Sequence, residues 1–124
     1  MRVAGLGFRT TADVASLREV LQLAGGTAGL SALDALATAE DKATAPALAA
    51  LAAELGLPII AVSLAQLSIQ IAAPSPNVPA RYGAHSLAEA AALAGAGPGA
   101  RLTTGRTVAS NKMATAAIAE NTQL

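Results

Sequence analysis

Within its first eleven residues the chain runs from an apolar segment through Gly5-Leu6-Gly7 into Arg9-Thr10-Thr11, and Asp13 follows in position to start a helix. A strand that leads so directly into a helix opens a βαβ unit, which commits a chain to parallel strands crossed over by helices. The two glycines read as a turn at the end of this strand, aimed at the helix N-terminus. Such a corner is ready to bind an anion. Glycine lets backbone N–H groups approach a ligand, and Arg9 adds a permanent charge with five donors. Gly5, Gly7, Arg9, Thr10 and Thr11 are therefore the first candidate binding residues.

The alternation continues downstream. Val14, Leu17, Val20, Leu21 and Ala24 share one helical face, Asp13 can cap that helix, and Gly25-Gly26 can end it. Residues 35–39, Ala-Leu-Ala-Thr-Ala, read as a second strand. Thr44 and Pro46 read as the cap and early proline of a helix reaching Leu55, with Leu48, Leu51, Ala52 and Leu55 as its stripe and Gly56 as its stop. Residues 57–62 are continuously apolar after Pro58 at their start, which predicts a strand buried on both faces. Ser63 then opens a helical turn through Leu67. Residues 73–78 are rich in turn formers and read as a loop. Ser86 and Glu89 have the spacing of a capping box for a helix over 87–94, ended by residues 95–99. Residues 101–107 and 113–119 read as two strands of a closing hairpin around Ala109-Ser110-Asn111-Lys112.

At 124 residues the chain is read as a single domain over 1–124. Its order predicts an α/β protein, a three-layer α/β/α sandwich with a mostly parallel mixed sheet and a C-terminal antiparallel hairpin. Ligands in open sheets of this kind sit beyond the carboxyl ends of the strands. That rule brings Gly5 to Thr11, Glu40-Asp41-Lys42 and Ser63 to Gln66 to one edge, within reach of Ser75 and Ser86.

Composition narrows the partners. Eight basic and eight acidic side chains balance, and only 13% of residues are charged, so no basic field points to nucleic acid or an anionic membrane. The mean hydropathy of +0.50 raises the question of a membrane span. The uncharged stretch from Leu55 to Ala80 is broken by Pro58, Pro74, Pro76 and Pro79 into pieces shorter than the roughly 20 residues that cross a bilayer. Arg9 and Asp13 interrupt any signal-peptide core, so a cytoplasmic location is expected. With no cysteine and His85 as the one imidazole, neither a protein-built metal site nor a bound cofactor is expected.

Each candidate residue carries two readings. Arg9 and Lys42 either grip a ligand carboxylate or are solvated charges, Lys42 lying between Glu40 and Asp41. Ser75, stiffened by Pro74 and Pro76, either faces a substrate or is a turn serine, and no base near it in sequence supports nucleophilic catalysis. Ser86 is a helix cap whose neighbouring N–H groups could face an anion. His85 is an exposed imidazole or a general acid. Glu40 and Asp41 could assist proton transfer, but adjacent carboxylates point different ways. No catalytic residue is assigned.

The order of these pieces resembles the CobE / CbiG C-terminal domain family of cobalamin biosynthesis along nearly the whole chain. The matching residues are Gly5-Leu6-Gly7-Phe8-Arg9, Lys42 followed by Pro46 and Leu48, Leu51-Ala52-Ala53-Glu54-Leu55-Gly56-Leu57-Pro58, Ser63 with Leu67, Pro74-Ser75-Pro76-Asn77-Val78, Gly83 with Ser86 to Leu93, and Thr115 to Ala119. The family usually has cysteine where this chain has Phe8, and a basic residue and glycine where it has Thr10-Thr11. The resemblance implies a role in building the corrin ring. In the larger members this domain is the C-terminal part of a protein that opens a ring lactone of a cobalt-precorrin and releases a two-carbon aldehyde. This chain, opening on the domain's first strand, looks like the stand-alone form. It implies a precorrin as ligand, held by Gly5, Gly7, Arg9, Thr10, Thr11, Lys42, Ser63, Ser75 and Ser86, because corrin precursors carry acetate and propionate arms around an apolar ring. Two further readings stay open. One is a non-catalytic module docking on another corrin-pathway enzyme, and the other is a nucleotide-binding module suggested by Gly5-x-Gly7, where Thr10 stands in place of the third glycine of that fingerprint.

Overall fold

A computed structural model describes residues 1–9, 11–25, 33–67 and 87–121. Strand β1 spans Arg2–Phe8, helix α1 Val14–Gly25, β2 Ala35–Ala39, α2 Pro46–Leu55, β3 Ile59–Val62, α3 Leu87–Ala96, β4 Arg101–Val108 and β5 Ala114–Glu120. The strands form one sheet in the order β3-β2-β1-β5-β4. β1 pairs in parallel with β2, and β2 with β3. β5 is inserted antiparallel between β1 and β4, so β4 points the same way as β1, β2 and β3. The α/β class, the mixed sheet and the closing hairpin are thus present. The hairpin joins the sheet through its second strand, leaving β4 at the end of the order.

The pleat of β1 divides the core. Ala4 and Leu6 face a cluster with Leu17, Val20 and Leu21 of α1 and Leu48 and Leu51 of α2, joined by Leu36 and Ile118. Val3 faces the other way, into a cluster of Ala35, Ala37, Ala119 and Ala90, Ala91 and Ala92 of α3. One face is packed with leucines and the other with alanines. On the alanine face the helix lies close to the sheet, and glycines make that approach possible. A Cβ on Gly5 would run into the Ala88 carbonyl oxygen and the Ala92 backbone nitrogen, and one on Gly95 would lie 2.8 Å from the Ala37 Cβ. Gly95 therefore sits inside α3, and the helix runs to Ala96 instead of ending near Ala94. Gly97, at φ 93°, ends it, while the Asn121 amide donates to the carbonyls of Ala96 and Pro98.

Asp13 caps α1 as expected, its carboxylate accepting the Ser16 N–H at 2.9 Å. The cap of α2 differs from expectation. Ala45 occupies the cap position with no side-chain hydrogen bond, and Pro46 begins the helix, so Thr44 lies one residue too early. Gly56 stops α2 at φ 69° as predicted. β3 is shorter than the 57–62 run and lies at the end of the sheet order, so Ile59 and Ile60 are half-buried and Ala61 is exposed. A continuous apolar run there reflects an edge strand, not one buried on both faces. Gly26, the 73–78 loop and the Ser86 cap lie outside the described residues.

Candidate functional site

Because β1, β2, β3 and β4 share a direction, their carboxyl ends and the start of β5 meet at one edge. An open cleft of about 220 Å³ lies at this edge, lined by Gly7, Phe8, Arg9, Leu87, Lys112, Met113, Ala114 and Thr115. Its floor is the β1–β5 pair, where Gly7 opposes Thr115 and Phe8 opposes Ala114. Past the strand end the ladder gains one more bond, as the Arg9 N–H donates to the Met113 carbonyl at 3.0 Å. Leu87, the first residue of α3, forms the wall on the alanine side of the sheet.

Gly5-Leu6-Gly7 is not a turn. All three residues lie within β1, with Gly5 opposite Ala37 on one side and Ala117 on the other. Gly5 is covered by α3, so it serves packing and is not among the residues lining the cleft. Gly7 does line it, and the nearest atoms to where its side chain would be are the Thr115 hydroxyl, Leu87 and the Ala88 nitrogen. The hydroxyl of Thr115 donates to the Gly7 carbonyl at 3.3 Å.

Of the other expected residues, Arg9 lines the cleft and is exposed. Lys42, in the turn after β2, places its ammonium 5.6 Å from the centre of the Phe8 ring, which brings the ends of β1 and β2 together by a cation–π contact. Thr11 is exposed in the turn before α1 and does not line the cleft. Ser63 stands at the same edge, just past β3, but its hydroxyl is occupied in accepting the Gln66 N–H at 3.2 Å and so caps the turn at 64–67. Glu40 and Asp41 are exposed and outside the lining. Thr10, Ser75, His85 and Ser86 lie outside the described residues.

Sequence reading missed Lys112, Met113 and Thr115. Lys112 is exposed at the tip of the β4–β5 hairpin, and its φ of 61° is left-handed. The hairpin is fastened to α1: the Glu19 carboxylate accepts the Ser110 N–H at 3.0 Å and its hydroxyl at 2.9 Å, and the Asn111 amide donates to the Ser16 hydroxyl at 2.7 Å. Asn111 also accepts the Met113 N–H at 3.0 Å. Among the described residues no acidic side chain lines the cleft, and neither Arg9 nor Lys112 is in an ion pair. Among those residues no group of three His, Cys, Asp or Glu side chains could hold a metal ion, and no helix is long and apolar enough to cross a membrane.

The molecule is thus a small α/β protein with a cationic, partly apolar cleft at the carboxyl edge of a mixed sheet. The pattern described as "Cobalamin synthesis G C-terminus" matches residues 2–119, and the chain belongs to that family of cobalamin biosynthesis proteins. It is similar to the crystal structure of cobalamin biosynthesis protein chiG from Agrobacterium tumefaciens, with 33% identity over 99% of this chain and 100% of that one at a TM-score of 0.81. It is also similar to CobE, a protein from the cobalamin (vitamin B12) biosynthetic pathway, with 32% identity over 98% of this chain and 90% of that one at a TM-score of 0.78. A cobalamin biosynthesis protein G homolog from Sulfolobus solfataricus shares the fold, at 15% identity over 95% of this chain and 36% of that one, with a TM-score of 0.69. Among curated proteins none matches the chain significantly.

Proposed function

We propose that this protein binds a precorrin intermediate of corrin-ring construction at the carboxyl edge of its sheet. The observation that carries the reading is the cleft lined by Phe8 and the cation Arg9, with Lys42 standing over the Phe8 ring beside it and no acidic residue among the described lining residues. Acetate and propionate arms on an apolar macrocycle need this pairing of charge and apolar surface. At about 220 Å³ the cleft is smaller than the roughly 300–1,000 Å³ of pockets that enclose a small molecule. It takes an edge of the ring with its carboxylate arms, the rest of the macrocycle lying outside.

The test is uptake of a defined precorrin by the purified protein, followed by absorbance of the bound chromophore. Arg9→Ala and Lys42→Ala should each weaken uptake by about tenfold, the effect of losing one charge-assisted contact. An absence of uptake at micromolar ligand overturns the reading. The same assay separates an enzyme from a carrier, since one releases a changed product and the other retains its ligand unaltered.

A further inference from the structure

We propose that Lys112 is a further carboxylate-binding residue of this site, paired with Arg9 and held at the cleft by a hairpin turn whose backbone is unfavourable for lysine. This rests on the reading of the cleft as a site for a multi-carboxylate tetrapyrrole. Three observations converge on it. Lys112 and Arg9 line the same cleft, and the backbone bond from Arg9 N–H to the Met113 carbonyl ties the residue after β1 to the residue after Lys112. Lys112 adopts φ 61°, a region where a Cβ crowds the following carbonyl and where glycine or asparagine is preferred. Lysine brings no compensating local hydrogen bond of the kind asparagine supplies there. A strained residue persists when its surroundings over-determine it, and such residues cluster at ligand sites.

The surroundings here do so. Ser110 and Asn111 are bound to Glu19 and Ser16 of α1, and the Lys112 N–H donates to the Ala109 carbonyl at 2.9 Å. The turn is closed on both sides of Lys112, and its ammonium, unpaired among the described residues, is left to a ligand. Arg9 leaves one strand of the β1–β5 pair and Lys112 enters the other, so together they can hold two carboxylate arms, or both oxygens of one.

The test compares Lys112→Gly and Lys112→Arg with the parent protein, using uroporphyrin, whose arms are acetates and propionates, and its methyl ester, which keeps the ring and lacks the charges. Lys112→Gly should raise Tm by about 2–4 °C, because glycine accepts the left-handed backbone. The same variant should raise the Kd for uroporphyrin about tenfold, while Lys112→Arg stays within about twofold of the parent. A structural role alone would move stability and binding in the same direction. Ester binding, where it occurs, should be indifferent to residue 112. Equal uroporphyrin affinity in the parent and Lys112→Gly overturns the role of Lys112 and leaves the site reading standing. Failure of the parent itself to take up either porphyrin overturns both.

Discussion

At the scale of single residues, Gly5 and Gly7 look equivalent in sequence but are set apart by what stands over them. Above Gly5 are backbone atoms of α3, which cannot rotate away, whereas above Gly7 the nearest atom is the Thr115 hydroxyl at 3.0 Å. Gly5→Ala should therefore cost about 3 kcal/mol, the upper part of the overpacking range, and Gly7→Ala about 1 kcal/mol. Urea denaturation of the two variants decides this; equal losses would show that α3 shifts freely on the sheet. Thr38 shows a different case of a polar residue in an apolar strand. It is fully buried, and its hydroxyl donates to the Leu6 carbonyl at 2.9 Å, so the Thr in Ala-Leu-Ala-Thr-Ala ties β2 to β1 and has no part in the cleft. The Arg9 position was legible because a cation just past a first parallel strand must reach the carboxyl edge. Lys112 was not, since its value depends on a turn conformation and on Glu19, a residue 91 positions before Ser110.

At the scale of elements, caps and ion pairs give α1 and α2 a pH dependence of definite sign. The Ser16 backbone N–H, and secondarily the Ser16 hydroxyl, hold Asp13 below its ordinary value against a smaller opposing effect of desolvation. Glu54 is likewise lowered, first by its hydrogen bonds from Arg18 at 2.7 and 2.9 Å. A carboxylate depressed in the folded state contributes stability that is present above its unfolded value and is lost as pH falls through the folded one. The contribution of both groups should thus be intact at neutral pH and disappear below about pH 4. In Asp13→Asn, which keeps an acceptor at the cap but cannot titrate, the urea midpoint should fall less between pH 5 and pH 3 than in the parent. An identical fall would remove Asp13 from the account. Both groups are exposed, so the effect is small and screened by salt. β4 is shaped by its edge position: register shifts between Leu102 and Thr104, and between Thr104 and Thr107, bend a strand whose outer side is polar, which blunts pairing with other chains.

At the scale of the whole molecule, β5 matters more than its place near the end of the chain suggests. It pairs with β1 along its full length and with β4 on its other side, and Ala116, Ala117, Ile118 and Ala119 are all completely buried. A chain ending at Met113 should lose cooperative unfolding altogether; a sigmoidal urea transition with the parent's m-value would refute this. What the sequence determined by itself was the alternation of strands and helices, because periodicity and glycine or proline punctuation are local, and with it the α/β class and the carboxyl edge as the place for a site. The order of the pieces was also enough to suggest the family that the whole-chain match establishes. The tertiary structure alone decided that β5 lies inside the sheet and that an alanine-rich helix rests on Gly5 while leucines fill the opposite face. It alone set Lys112 beside Arg9. These outcomes depend on strand order and on close approach between segments far apart in the chain, and no local pattern encodes either. The opening glycines illustrate the division: their presence predicted a close backbone approach, and only packing showed that at Gly5 the approaching group is α3.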